Sequence, residues 1–220
     1  MTTEQKIQAI KEAIENAKNH ISKMDDVAWS VPALSSLKIR HLMNNLGAIS
    51  TRYYEAGVHI AGLFSSTIRN NPNLISATAN DSFESDETGE IKYEPQFYAN
   101  MQKCISSNTE FKMLKGDTFH MEPSEVSGPI DLYLYDANHS YEAERRAVTY
   151  FLPAMADTVI MCKDDWQFGD VKRATMDGII DSGCEILFQE ELLNTEPYTE
   201  DEHRNMEWWR GFAVFLLKKP

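Results

Sequence analysis

The stretch IDLYLYDANHSYE, residues 130–142, decides the predicted fold of this chain. Its first six residues are mostly apolar and favour a strand, and the polar run that follows leads into Ser140, a residue type that often begins helices. Residues 53–62, YYEAGVHIAG, and residues 159–166, VIMCKDDW, also predict strands that end in polar side chains. Strands that alternate with helices predict an α/β fold with a doubly wound, mostly parallel sheet.

Two ends of the chain depart from this alternation. Ile7, Ile10 and Ile14 recur at helical spacing, and we expect a second helix to open at Pro32, since proline is tolerated in a first turn. No helical period separates the last two predicted strands, EILFQ and GFAVFLLKK. The final strand is therefore expected to enter the sheet antiparallel.

The net charge of −13 over 220 residues argues against a protein that grips nucleic acid. Most of it lies in residues 80–94, with six acids and one base, and in residues 185–207, with eight acids and one base. Because both segments should leave the ligand-binding edge of the sheet, they predict an acidic rim that attracts cations. Simple solvation of two loops is the alternative.

The sequence also predicts the compartment. The first residues lack the apolar core of a signal peptide, and no run approaches the roughly 20 apolar residues that span a bilayer. Three cysteines lie far apart without CxxC spacing, which is typical of reduced thiols. We expect a cytoplasmic protein without membrane contact.

A doubly wound sheet binds its ligand at the carboxyl ends of its strands, so the residues there are candidates for the site. The first strand ends with Glu55, Gly57 and Gly62, where glycine allows a tight turn and a close backbone approach. The pattern is not GxGxxG, which disfavours an ordinary dinucleotide site. Glu55 is placed to hold a cationic or hydroxyl-bearing ligand.

The next two strand ends offer cofactor contacts. An acid after the second strand, aligned at Asn80 or at Asp81, is placed to accept hydrogen bonds from ribose hydroxyls. Phe83 is placed to cover an adenine, although a core aromatic is equally expected. Asp117 follows the third strand, where a turn or helix cap is the alternative to a ligand contact.

The fourth and fifth strand ends carry the catalytic candidates. Asp136 and His139 supply a carboxylate and a group that titrates near neutrality. Asp164 and Asp165 would repel each other unless a cation or donors compensate. Together with Asp136 they predict a three-carboxylate site suited to Mg²⁺ or another divalent cation.

These strand ends together resemble the class I S-adenosylmethionine-dependent methyltransferases, in particular the metal-dependent sugar and macrolide O-methyltransferases. The motifs that carry the resemblance are YYEAGVHIAG, NDSF, KGD, IDLYLYDANHSYE, VIMCKDDW and EWWRGFAVFLLKK. The resemblance implies a seven-stranded, Rossmann-like methyltransferase domain over residues 51–220, preceded by a helical extension over residues 1–50. The sequence departs from the family pattern at two places. The family has Asp-Gly where this chain has Asp136-Ala137, and Gly-Gly where it has Ala61-Gly62.

The resemblance further implies roles for single residues. Glu55 and Gly57 would border the methionine part of S-adenosylmethionine, Asp81 its ribose and Asp117 its adenine. The remaining predicted cofactor residues are Gly62, Phe83 and Asp136. Asp136, Asp164 and Asp165 match the positions that hold a divalent ion in metal-dependent members, whereas Lys163 beside them would lessen the need for metal.

Three functions follow as hypotheses. The first is O-methylation of a small hydroxylated acceptor, assisted by a divalent metal, with Asp136 or His139 as the proton acceptor. The second is a metal-independent O- or N-methyltransferase with His139 as the base. The third is a non-catalytic binding or oligomerisation module with the same fold, and a homo-oligomer is compatible with each.

Overall fold

A computed structural model describes residues 1–84, 93–105, 108–195 and 207–220. Seven strands among these residues form one sheet: β1 (Arg52–Ala56), β2 (Ser76–Asp81), β3 (Glu110–Lys115), β4 (Ile130–Tyr135), β5 (Met155–Lys163), β6 (Glu185–Leu192) and β7 (Phe212–Lys218). Their order is β3-β2-β1-β4-β5-β7-β6. Strands β1 to β5 pair in parallel, and β7 runs antiparallel to both β5 and β6. The predicted mostly parallel, seven-stranded sheet with an antiparallel last strand is confirmed.

Seven α-helices flank the sheet in the described part of the chain: α1 (Thr3–Lys18), α2 (Asp26–Trp29), α3 (Leu37–Ala48), α4 (Gly62–Ile68), α5 (Tyr93–Cys104), α6 (Tyr141–Tyr150) and α7 (Val171–Ser182). The Ser140 side chain caps α6, as its position predicts. None of the described helices has the length and apolar character needed to cross a membrane.

The prediction of a helix start at Pro32 is wrong. Helix α3 begins at Leu37, because the Ser36 hydroxyl accepts a hydrogen bond from the backbone N–H of Ile39 and so caps it. The segment between Pro32 and Ser36 instead passes over the start of α4. A Cβ added at Gly62 would lie 2.5 Å from the Cβ of Ala33, so this crossing needs a glycine.

Two apolar clusters fill the two faces of the sheet. One joins Ile10, Ile14 and Leu42 of the N-terminal helices to sheet residues such as Leu132. The other packs α6 and α7 against the opposite face, with Val148 among its buried residues. The N-terminal helices therefore share a core with the sheet.

The register of the parallel strands aligns their carboxyl ends. Ala56 lies beside both Asn80 and Tyr135, and Tyr135 lies beside Lys163. The residues that follow these strand ends consequently leave the sheet at one edge. Of the predicted acidic rim, residues 85–92 and 196–206 lie outside the described residues.

Candidate active site

A cavity of about 630 Å³ opens at this edge, where the strand order reverses between β1 and β4. Doubly wound sheets bind ligands at such a point, and the volume suits a small-molecule cofactor. The loops after four strands and the start of α6 supply its lining, which includes Gly57, His59, Asp81, Gly116, Asp117, Phe119, Tyr135, Asp136, Ala137 and Arg146. Of the predicted cofactor residues, Gly57, Asp81, Asp117 and Asp136 line this larger cavity.

Gly57 forms the floor where the loop after β1 meets the end of β4. Its φ is +91°, and an added Cβ would lie 1.8 Å from the backbone oxygen of Asp136. Both the positive φ and the close contact exclude a side chain here. The glycine therefore allows the loop after β1 to lie directly against the backbone at the end of β4.

The structure separates the two polar residues at the end of β2. Asn80 is fully buried, and its amide donates to the backbone oxygens of Leu114 and Gly116 at 2.9 Å each. Asp81 instead faces the cavity, and its carboxylate accepts from the backbone N–H groups of His59 and Phe83 at 2.8 Å each. Asn80 therefore ties β2 to the loop after β3, and Asp81 is the acid available to a ligand.

The adenine-covering position predicted for Phe83 is not where the structure places this residue. Phe83 is 2% exposed, packs against Phe97 in the core and does not line the cavity, because its backbone turns at a φ of +49°. Phe119 lines the cavity beside Tyr135, with the Arg146 guanidinium 4.6 Å from the Phe119 ring centre. Asp117 both lines the cavity and caps the turn that carries Phe119, accepting its backbone N–H at 2.7 Å.

A second, smaller cavity of about 220 Å³ adjoins the first and shares Gly57, His59 and Asp136 with it. Its walls combine apolar side chains with a dense group of ionisable ones: Ala33, Leu34, Val58, Leu63, Trp209, Glu55, His139, Asp164, Asp165 and Arg210. Glu55 and Gly62, both predicted to contact the cofactor, line this smaller cavity and not the larger one. A ligand in the larger cavity would therefore reach the smaller one past Gly57 and Asp136.

Glu55 lies deep in the smaller cavity and is 1% exposed. Burial raises the pKa of its carboxyl to about 8, and the nearby Asp164 and Asp81 add to the rise. The hydroxyl of Tyr53 donates a short hydrogen bond to this carboxyl. At neutral pH Glu55 is consequently mostly protonated in the ligand-free molecule.

The candidate metal ligands differ from the predicted set. Among the described residues, the carboxylates of Asp136 and Asp165 and a ring nitrogen of His139 lie within 4.8 Å of one another, and Asp164 is not part of this group. The backbone turns at Asp165, whose φ is +53°, and Asp164 is 3% exposed and accepts the backbone N–H of Asp165 at 3.0 Å. The adjacent carboxylates of Asp164 and Asp165 therefore lie in different places, and His139 takes the ligand position that was predicted for Asp164.

Charges around this group are unevenly balanced. Burial and the neighbouring carboxylates raise the pKa of Asp136 well above its ordinary value. Burial also raises the pKa of Asp165, opposed by His139 and by Arg210, whose guanidinium lies 3.4 Å from its carboxylate. A cation bound between Asp136 and Asp165 would relieve the repulsion between their carboxylates.

Lys163 does not neutralise the adjacent aspartates as predicted. Its ammonium is fully buried and forms an ion pair with the buried carboxylate of Glu144 on α6. The other oxygen of Glu144 lies 3.0 Å from Nδ1 of His139, and Nε2 of His139 lies 3.1 Å from Asp165. A continuous chain of contacts therefore joins Lys163 to the aspartates through Glu144 and His139.

Several residues of the site were missed from the sequence. Glu144 looked like an ordinary acid in a first helical turn, and only its inward position on α6 distinguishes it from the exposed Glu142. Phe119 lies outside the motifs quoted above, and Arg210 lies within EWWRGFAVFLLKK without a predicted role. Trp209 lines the smaller cavity, whereas Trp166 and Trp208 are core residues.

Solved structures share this architecture. An O-methyltransferase from Bacillus cereus in complex with S-adenosylhomocysteine has a TM-score of 0.59 at 11% identity, covering 96% of this chain and 91% of the other. TomG, an O-methyltransferase from Streptomyces achromogenes involved in tomaymycin synthesis and bound to S-adenosylmethionine, has a TM-score of 0.57 at 14% identity, covering 96% and 89%. The fold is that of the class I methyltransferases.

A third neighbour is the cofactor-bound Rv0187 from MTB, with a TM-score of 0.58 at 16% identity over 97% of this chain and 91% of the other. No protein-family model matches this chain, and no curated protein matches it by sequence. The shared feature is therefore the three-dimensional fold, and the activity has to be argued from the site.

Proposed function

We propose that this protein is an S-adenosylmethionine-dependent O-methyltransferase that acts on a small hydroxylated acceptor. The observation that carries the proposal is the meeting of two cavities at Gly57 and Asp136, with His139 in the wall of the smaller one. The volume of the smaller cavity, about 220 Å³, exceeds the roughly 150 Å³ that accommodates a benzene ring. One ring with hydroxyl substituents fits this space.

The residues of the larger cavity suit the methyl donor. Asp81 would accept hydrogen bonds from the ribose hydroxyls, and Phe119 with Asp117 would border the adenine. Gly57 would border the methionine part, since it lines both cavities, and Glu55 would approach this part from the smaller cavity. The S-adenosylhomocysteine bound in the B. cereus structure and the S-adenosylmethionine bound in the S. achromogenes structure support this use of the fold.

The chemistry is an in-line displacement that mainly requires two partners held in contact. His139 would take the proton of the acceptor hydroxyl at Nε2 as the new O–CH₃ bond forms and the C–S bond breaks. Asp136 and Asp165, 3.7 Å and 3.1 Å from Nε2, would stabilise the imidazolium that results.

The donor set also fits a divalent cation, since two carboxylates and an imidazole converge. Asp136, His139 and Asp165 would hold the ion, whose charge would lower the pKa of an acceptor hydroxyl. Titration with EDTA separates this version from a metal-free one, because only the metal-dependent activity would be lost.

The proposal is tested with methyl-labelled S-adenosylmethionine and a panel of small acceptors that includes catechol and simple glycosides. Transfer of label to an acceptor oxygen, with release of S-adenosylhomocysteine, is the expected result. Binding of the donor without transfer to any panel member would favour a binding module, and transfer to nitrogen alone would overturn the assignment to oxygen.

A further inference from the structure

Glu144 is a fully buried carboxylate on α6 whose two oxygens have different partners. Oε1 lies 3.0 Å from Nδ1 of His139, and Oε2 pairs with the ammonium of Lys163. Lys163 is itself fully buried and lies 4.2 Å from the ring centre of Tyr135. The carboxylate is thus fixed from one side by Lys163 and presents its other oxygen to the histidine.

Stability alone does not account for this pair. A buried ion pair often contributes nothing compared with apolar residues of similar size, because the desolvation of both charges offsets their attraction. The pair is buried inside the protein, and the second oxygen of Glu144 contacts His139, a side chain of the candidate active site. The position of the pair therefore indicates that it orients the imidazole ring of His139.

The imidazole can be oriented by the hydrogen bond at its inner nitrogen. A carboxylate accepts but does not donate, so a bond between Glu144 and His139 places a proton on Nδ1. Nε2 then faces Asp136, Asp165 and the smaller cavity, and its 3.1 Å contact with the carboxyl of Asp165 needs a proton on one of these two groups. Either use of His139, as proton acceptor or as metal ligand, needs its lone pair on that side.

We propose that Glu144, held by Lys163, is the positioning residue that keeps the Nδ1 proton on His139 and directs Nε2 into the acceptor cavity. The claim rests on the proposed function only for its effect on turnover. The hydrogen bond itself can be measured without any acceptor.

The test compares two double variants that leave no buried charge unpaired. Glu144→Leu with Lys163→Met removes the acceptor for Nδ1–H, whereas Glu144→Gln with Lys163→Met keeps a carbonyl oxygen that can accept it. Arg145→Met with Asp181→Asn is the matched control, since it removes an exposed ion pair that joins α6, the helix that carries Glu144, to α7. Thermal unfolding establishes that all three fold, and calorimetry with S-adenosylhomocysteine establishes that the donor site is intact.

The first readout is NMR of protein labelled with ¹⁵N in its histidine rings, with His139→Gln used for assignment. A slowly exchanging proton on Nδ1 is expected in the wild type, in the control and in the Gln/Met variant, and it should be lost in the Leu/Met variant. A wild-type Nδ1 without a proton, or a signal that persists in the Leu/Met variant, would overturn the proposal.

The second readout is methylation of catechol. The Leu/Met variant should lose about 10- to 100-fold in kcat, as is usual when the partner of a functional histidine is removed, and the Gln/Met variant should recover part of it. Equal turnover of the wild type and the Leu/Met variant would contradict the positioning role. A wild type that methylates nothing would count against the proposed function, while the NMR result would still decide the role of Glu144.

Discussion

Oδ1 of Asp136 lies 3.7 Å from Nε2 of His139, three residues further along the chain, and Asp136 lines both cavities of the site. The pair marks the place where a methyl donor in the larger cavity would meet an acceptor in the smaller one. The predictions below concern the two residues, the cavities on either side and the charges around them.

Replacement of His139 should separate catalysis from donor binding. In His139→Gln we expect kcat to fall by about 10²- to 10⁴-fold, the usual contribution of a positioned acid–base group. Calorimetry should show unchanged affinity for S-adenosylhomocysteine, because His139 does not line the larger cavity. His20→Gln, at an exposed position on the N-terminal side, is the control, and an equal loss in both variants would contradict the role of His139.

Replacement of Asp81 should weaken donor binding. Hydrogen bonds to a charged group contribute about 1.5 to 3 kcal/mol, so Asp81→Ala should reduce the affinity for S-adenosylhomocysteine about 10- to 100-fold. The control is Asp157→Asn, an exposed acid on β5 that lines neither cavity. If calorimetry gave the same affinity for Asp81→Ala as for the wild type, the ribose would bind elsewhere.

The buried carboxyl of Glu55 should make stability depend on pH. Burial raises its pKa from 4.5 to about 8, so between these values the folded state binds more protons than the unfolded chain. The contribution of Glu55 to the free energy of unfolding therefore falls as the pH rises through this window. Glu55→Gln should gain stability relative to the wild type from pH 5 to pH 9, by roughly 4 kcal/mol at most.

Urea unfolding at several pH values measures this difference. Glu110→Gln, at the exposed start of β3, is the control and should follow the wild-type curve. A constant difference between Glu55→Gln and the wild type over the whole pH range would show that folding does not raise the pKa of this carboxyl.

Metal binding should depend on Asp165 and tolerate a change at Asp164. Mn²⁺ at 100 times its Kd should stabilise the wild type by about 2.7 kcal/mol, which is measured as a rise in Tm. Asp165→Asn should abolish the rise, whereas Asp164→Asn should retain it, because Asp164 is outside the group of converging ligand atoms. Loss of the rise in both variants would restore the three-carboxylate site predicted from the sequence.

The contact at Gly57 should be costly to disturb. Gly57→Ala adds a methyl group 1.8 Å from the backbone oxygen of Asp136, whereas Gly169→Ala, also at a positive φ, meets nothing within 4 Å. The control should lose about 1 to 2 kcal/mol for its left-handed backbone, and Gly57→Ala should lose more. Equal urea midpoints for the two variants would mean that the strand ends lie further apart.

Much of the fold could be predicted because it depends on local patterns. Alternating strand and helix signals predict the sheet, and the short spacing between Asp136 and His139 places both at one strand end. The predictions that failed concern side chains whose direction depends on how each helix or strand is oriented against its neighbours. Glu142 and Glu144 look alike in sequence, yet the packing of α6 exposes one and buries the other. Asp164 and Asp165 are neighbours, yet a single left-handed residue sends their side chains to different places.

The acceptor and donor sites are most directly tested by a crystal structure with S-adenosylhomocysteine. The account predicts adenosine in the larger cavity, its ribose on Asp81, and the sulfur at the junction of Gly57 and Asp136, facing His139 across the smaller cavity. A ligand bound elsewhere, or one whose sulfur points away from the smaller cavity, would contradict it.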